Sequence, residues 1–207
     1  MARSCLIGLT GGVGMGKSAT AACLAKLSVP VIDTDDLARE LTAPGRAALT
    51  EIRQRFGSGV FTPDGRLDRA AMARLVFHDP AARRALEAIL HPRIRAAWKR
   101  QAAELAARGE PIVAVAIPLL YETGAEREVD FVVCAACSEA TRRARLRRRG
   151  WSEEEIEARV RAQWPVEEKM RRADWVIWTE GRMEVTRAQA EIVWSRLRRR
   201  IKGPGER

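Results

Sequence analysis

The chain contains no asparagine. Its only lysines stand at positions 17, 26, 99, 169 and 202 of the 207 residues. No apolar run approaches the ~20 residues that a membrane span needs. The apolar stretch after Met1-Ala2-Arg3, Cys5 to Leu9, is too short for the core of a signal peptide and passes straight into a glycine loop. Four cysteines in a chain of this size do not make a disulfide scaffold. No internal repeat or low-complexity segment occurs, and only Gly203 to Arg207 read as frayed. Together these absences exclude a membrane protein and a disulfide-stapled secreted domain, and they predict a soluble, cytoplasmic protein. A hydrophobic content of 46% suffices for a proper core and excludes general disorder.

Arginine therefore carries most of the positive charge. The balance is 37 Lys+Arg against 27 Asp+Glu, a formal +10. Heavy Arg and Ala use without Asn fits biased codon usage or selection against heat-labile residues, and either accounts for much of that excess. Two runs rise above it: Arg142, Arg143, Arg145, Arg147, Arg148 and Arg149, and then Arg196 to Lys202. Such a field favours anionic partners, polyphosphates or nucleic acid, without choosing between them.

Cys5 to Leu9 reads as a buried strand ending in a loop, followed by a helix from about Lys17 to Leu27 and a short strand at Val29 to Ile32. From Leu37 to about Ala107, Ala, Leu and Arg recur at helical spacing. Breaks are expected at Pro44-Gly45, Gly57 to Gly59, Pro63 to Gly65, Asp79-Pro80 and Pro92, with Asp68 and Asp79 as N-caps. Ile112 to Ile117 and Asp130 to Ala135 are continuous apolar runs, as for strands covered on both faces. Helices follow from Glu139 to Arg149 and from Ser152, where Ser152 and Glu155 form a capping box. Trp175 to Trp178 gives a last strand and Met183 to Ile201 a terminal helix. Strands alternating with helices imply an α/β fold with a parallel sheet.

Gly11-Gly12-Val13-Gly14-Met15-Gly16-Lys17-Ser18 fits G-x-x-x-x-G-K-[ST] between a strand and a helix. Glycines let backbone N–H groups converge on phosphate oxygens, and the helix N-terminus adds its dipole. Lys17 would reach the β- and γ-phosphates and the Ser18 hydroxyl would bind Mg²⁺. A chance match in a chain of this length has odds of about one in a hundred. The nucleotide contacts are therefore assigned to Thr10, Gly11, Gly12, Val13, Gly14, Met15, Gly16, Lys17, Ser18 and Ala19, with ATP and Mg²⁺ as cofactors. A regulatory GTPase reads guanine through Asn-Lys-x-Asp, which a chain without Asn does not supply. A helicase-like body is excluded by length. What remains is a small-molecule or nucleotide kinase, with the helical block as acceptor holder and the Arg142 to Arg149 run as lid.

Cys134-Ala-Ala-Cys137 has no second pair and no nearby His, so it reads as two buried thiols at a strand end rather than as a zinc site. The tryptophans read mostly as packing residues, with Trp151 beside the lid.

Several stretches taken in order resemble the dephospho-CoA kinases. They are Ile7 to Ser18, Val31-Ile-Asp-Thr-Asp-Asp-Leu-Ala-Arg-Glu40, Leu90-His-Pro-Arg-Ile-Arg95, Ile117-Pro-Leu-Leu-Tyr-Glu122, Arg161-Ala-Gln163, Glu168-Lys169 and Ala173-Asp174. The resemblance spans nearly the whole chain. It implies transfer of the ATP γ-phosphate to the ribose 3′-hydroxyl of dephospho-CoA, on an α/β P-loop fold with a sheet covered on both faces. Its parts would be a nucleotide core (1–36, 110–138, 173–207), an inserted helical acceptor subdomain (37–109) and an Arg-rich lid (139–172). Asp33, at the end of the second strand, stands where ligands bind in open parallel sheets and would orient or take the acceptor proton. As a mere cap for a helix at Leu37 it would serve less well than Asp35 or Asp36. Arg39 and Arg95 are candidate acceptor contacts, with a plain surface arginine the alternative for Arg39. His91 is either a packing residue or an acceptor contact. Leu119 and Glu122 leave the third strand at the cleft, where Glu122 would hold the acceptor or order the loop. Of the lid arginines Arg149 comes first as the phosphate contact, then Arg145 and Arg148.

Two positions depart from the family. Ala116 stands where many relatives carry Asp, so Mg²⁺ would rest on Ser18, phosphates and water. Trp178-Thr-Glu-Gly181 replaces an Asp-Asn-x-Gly pattern near the adenine, leaving that work to Glu180 or backbone groups. A monomer without nucleic-acid or membrane partners is expected. The alternatives are a kinase of another small acceptor, such as a nucleoside monophosphate, and a nucleic-acid-binding P-loop protein using the two Arg runs.

Overall fold

The computed structural model describes residues 4–202, so the expected fraying of Gly203 to Arg207 lies outside the described residues. In chain order the elements are β1 (Cys5–Gly11), α1 (Lys17–Lys26), β2 (Val31–Asp33), α2 (Thr34–Leu41), α3 (Ala47–Phe56), α4 (Arg69–His78), α5 (Pro80–Ala107) and β3 (Ile112–Ala116). They continue with β4 (Phe131–Ala136), α6 (Glu139–Arg148), α7 (Glu153–Arg161), α8 (Val166–Arg172), β5 (Trp175–Trp178) and α9 (Met183–Lys202). The chain forms two compact units. One holds the described residues up to Ile32 and from Ala102 onward, the other Asp33–Gln101.

The first unit is built on a sheet of order β2-β3-β1-β4-β5, with β1 parallel to β3 and β4, and β4 parallel to β5. All five residues of β3 are buried, which is why its sequence is apolar without alternation. Side chains still divide by face with period two. Val133 joins Ile7, Leu9 and Ile177 against Cys23 and Leu24 of α1 and Ala190, Val193 and Leu197 of α9. Cys134 and Ala136 meet Met15 and Val166, the first residue of α8, on the other side. Helices therefore cover both faces, as the α/β reading requires. Near the strand starts, the Asp130 and Asp174 carboxylates accept the N–H groups of Leu6 and Val132, each at 2.8 Å. No helix among the described residues is long and apolar enough to cross a membrane.

In the second unit Ala48, Ile52, Val60, Met72 and Ile89 are buried, with Phe56, Phe61, Leu67, Leu75 and Leu86 packed around them. Asp68 Oδ1 accepts from Ala70 N and Ala71 N, and Asp79 Oδ1 from Ala81 N and Ala82 N, so both expected caps are formed.

Two expectations are corrected here. Pro92 does not break a helix, because α5 runs through it. Proline removes a single N–H from the ladder, the one that would bond the Ala88 carbonyl, and the helix continues on both sides of it. The helix after β2 begins at Thr34 rather than at Leu37, and its N-cap is Asp33, whose Oδ1 accepts from Asp35 N at 2.9 Å. With the strand running straight into the helix, Asp33 is the last extended residue, and neither Asp35 nor Asp36 is at the cap position.

Candidate active site

β1 ends in the glycine loop, and α1 starts at Lys17 with Gly16 as its N-cap, φ +89°. The first turn of α1 has no acidic residue, and its N-cap is a glycine, which offers no side-chain oxygen to the turn's N–H groups. Gly14 (φ +76°) and Gly16 occupy the left-handed region, and both are also closed in from behind. A Cβ at Gly14 would lie 2.9 Å from Leu146 Cγ, and one at Gly16 would overlap Thr179.

The backbone of three successive loop residues is held by three side chains from distant parts of the chain. Val13 N donates to Gln163 Oε1 at 2.9 Å. Gly14 O accepts from Arg145 Nη1 at 3.4 Å. Met15 O accepts from the Thr179 hydroxyl at 2.8 Å. Met15 itself is buried, its Sδ 3.5 Å from Cys137 Sγ and accepting from Cys137 N at 3.3 Å. Of the residues assigned to nucleotide contact, Thr10 is also buried, its hydroxyl donating to Pro118 O at 3.3 Å, so its side chain supports the loop from within. Lys17 is half-buried and Ser18 exposed.

The arginine run is resolved by this packing. Arg145 reaches Thr179 through both arms of its guanidinium, with Nη1 at 2.9 Å from the hydroxyl. Arg142 packs its stem beside Gly14 and pairs with Glu139. Arg143 binds Glu139, Glu153 and Glu157, and Arg147 binds Glu153, tying α6 to α7. These hydrogen bonds, Glu157 first, raise the Arg143 pKa. Arg148 and Arg149 are exposed, with Arg149 at the C-cap of α6. The structure thus brings Arg145 to the loop and not Arg149, because the α6 turn that packs on the loop is the one carrying Leu146. The expected capping box of Ser152 and Glu155 is present, and the Arg159 guanidinium covers the Trp151 ring at 4.0 Å.

After β3, Glu122 orders the loop. Its Oε1 accepts from Trp164 N at 2.8 Å and pairs at 2.7 Å with Lys169, which is fully buried and also donates to Pro118 O at 2.8 Å. Leu119 is partly exposed, its carbonyl accepting from Thr123. Glu180 is engaged at the N-terminus of α6, where it accepts from Ser138 N and from the Ser138 and Thr141 hydroxyls. These bonds, the Thr141 one first, hold its carboxyl below the ordinary range.

In the second unit Asp33 stands at the start of α2, and Arg39 pairs with Asp36 one turn before it. Thr42 caps the other end of α2 and accepts from Arg69 Nη2 at 2.8 Å, a guanidinium that sequence reasoning passed over. His91 lies on α5. Burial, partly opposed by Glu87, keeps its pKa below the ordinary 6.5, so it is neutral at neutral pH. Arg95 is exposed on the same helix.

All four cysteines are buried free thiols, and burial pushes Cys134 up to about 12. No cluster of three or more His, Cys, Asp or Glu fit for a metal occurs among the described residues. Among the described residues of the loop the Ser18 hydroxyl, in the first turn of α1, is the side-chain donor suited to a metal. That set fits Mg²⁺ only if phosphate oxygens and waters complete the octahedron. Thr179 and Gln163 are the site residues that sequence reasoning left without a role. Gln163 lay in a quoted family stretch, and Thr179 lay in the Trp178-Thr-Glu-Gly181 stretch, where attention went to Glu180 instead.

The sequence profile of the dephospho-CoA kinases matches residues 5–184. A dephospho-CoA kinase of Symbiobacterium thermophilum is 46% identical over 91% of this chain and 80% of its own length. A crystal structure of a Thermus thermophilus protein superposes with a TM-score of 0.80 at 38% identity, covering 95% of this chain and 99% of its own. The dephospho-CoA kinase from Campylobacter jejuni gives 0.67 at 25% identity, covering 93% and 96%.

Proposed function

Because the chain belongs to the dephospho-CoA kinase family, it is a kinase that phosphorylates the ribose 3′-hydroxyl of dephospho-CoA with ATP, giving CoA and ADP in the last step of CoA synthesis, and we propose the following division of work among its residues. Lys17 and the loop N–H groups bind the β- and γ-phosphates, with Thr10 to Ala19 as the nucleotide segment. Ser18 with phosphate oxygens and waters holds Mg²⁺, which supplies charge neutralisation when bound. Arg145 stabilises charge on the transferring group, ahead of Arg148 and Arg149, which are exposed. Asp33 orients the acceptor hydroxyl and takes its proton. Residues 37–109 serve as the acceptor subdomain through Arg39, His91 and Arg95, with Leu119 and Glu122 ordering the loop after β3, and 139–172 serve as the lid. His91, neutral at neutral pH, contributes a neutral contact to the acceptor and not a charge.

The observation that carries this reading is the fixed backbone of Val13, Gly14 and Met15 directly ahead of the N-terminus of α1, where Gly16 is the cap. Phosphoryl transfer relies on positioning and preset charge more than on covalent chemistry, and a loop held from three sides supplies that positioning. The rival reading of a nucleic-acid binder is weakened by the engagement of Arg143 and Arg147 with Glu139, Glu153 and Glu157. A monomer in the cytoplasm is proposed as the working form.

The test is ADP release with ATP and Mg²⁺ across dephospho-CoA, AMP, CMP and buffer alone. Turnover that depends on dephospho-CoA and stops on chelation of Mg²⁺ is expected. Equal or faster turnover with AMP or CMP would replace the acceptor.

A further inference from the structure

The segment joining β5 to α9 grips α6 at two points. Thr179 is 3% exposed, and its N–H donates to Ala136 O at 2.7 Å, which anchors it to β4. Its hydroxyl donates to Met15 O at 2.8 Å and accepts from Arg145 Nη1 at 2.9 Å, while the second arm of the guanidinium donates to the Thr179 carbonyl. The next residue, Glu180, accepts from Ser138 N at 3.1 Å, from the Ser138 hydroxyl at 2.8 Å and from the Thr141 hydroxyl at 2.7 Å. Ser138 is the N-cap of α6, and Thr141 lies one turn before Arg145. A carboxylate at this end is favoured by the helix dipole and by charge-assisted hydrogen bonds. Two adjacent residues therefore fix both the base of α6 and the arginine that the same helix sends to the glycine loop.

We propose that Thr179 and Glu180 are positioning residues for phosphoryl transfer: Glu180 sets the base of α6, Thr179 sets Arg145 and the Met15 carbonyl, and together they preset the loop for the ATP phosphates. This rests on the kinase reading above. Neither residue is asked to touch a reacting atom. The loop and its strut are fitted to one another, since any side chain at Gly16 would overlap Thr179. Donors preset in this way bind and stabilise charge without reorganising during the reaction, and small misplacements of such groups cost large factors in rate.

The test compares Thr179→Val, Thr179→Ser, Glu180→Gln and Glu180→Ala with the parent enzyme. It measures kcat, KM for each substrate, calorimetric ATP–Mg²⁺ affinity and thermal melting. Thr179→Val keeps size but loses the hydroxyl. It is expected to lower kcat/KM for ATP by about tenfold or more, the scale of one buried polar group left unpaired, with KM for dephospho-CoA unchanged. Thr179→Ser should restore most of the loss. Glu180→Ala should move the same parameters less, and its effect should be smaller in a Thr179→Val background, because both act through Arg145. Variants that melt lower yet bind ATP and turn over like the parent would reduce the pair to structural residues and overturn the proposal, as would an equal rise in KM for dephospho-CoA. If Thr179→Val does not fold, Glu180→Gln and Glu180→Ala carry the same comparison. A parent enzyme inactive toward dephospho-CoA would strike the acceptor assignment, whereas the calorimetric ATP arm judges the strut separately.

Discussion

Lys169 Nζ stands 2.7 Å from Glu122 Oε1 with no exposed surface of its own, so α8 is pinned to the loop after β3 by a buried ion pair. The same ammonium donates to Pro118 O, which also accepts from Thr10 at the end of β1. Removing one member of such a pair leaves the other charge uncompensated. Lys169→Met should therefore destabilise the protein by about 3–5 kcal/mol, read from urea unfolding. The double variant Lys169→Met, Glu122→Gln should recover part of that loss. An additive double variant would show that the two side chains do not act as a pair.

Arg145 and Arg149 lie one helical turn apart but meet different surroundings, the glycine loop for one and solvent for the other. Arg145→Ala should lower kcat by about 10²-fold or more if the guanidinium stabilises transferring charge, while Arg149→Ala should leave turnover close to the parent. Steady-state kinetics of the two variants decide it. A larger loss at Arg149 would mean that the lid is used in a different arrangement.

Asp33 combines a cap with the proposed base. Asparagine caps a helix as well as aspartate does, so Asp33→Asn should keep the melting temperature. It does not take up a proton, so kcat should fall by roughly 10²–10⁴ with ATP binding intact. Retention of more than about a tenth of the turnover would fall outside that range and remove the base role. A lowered melting temperature would show that the carboxylate is needed for the fold.

Glu180 gives a pH signature. Its folded pKa lies below the ordinary 4.5 because of hydrogen bonds from Thr141 and Ser138. A depressed carboxylate contributes stability above its unfolded pKa and loses it as the pH falls through the folded value. The melting temperature of Glu180→Gln should therefore lie below that of the parent at neutral pH, and the two should converge well below pH 4.5. A gap of constant size across that range would assign the difference to shape and not to charge.

What the sequence by itself determined is local or periodic. The glycine loop, the continuous apolar strands, the caps at Asp68 and Asp79 and the Ser152–Glu155 box were legible because each depends on residues within a few positions of one another. The family resemblance added the reaction. Tertiary structure alone decided which arginine of the run meets the loop, because that depends on how α6 lies against residues more than a hundred positions away. It also decided that Gln163 and Thr179 hold the loop, that Glu180 anchors α6, and that α5 carries Pro92 without breaking. Helical spacing puts Arg142, Arg145 and Arg149 on one stripe without saying which turn of that stripe is covered. Long-range packing chooses the turn, and hydrogen bonds between distant side chains and backbone then hold it there.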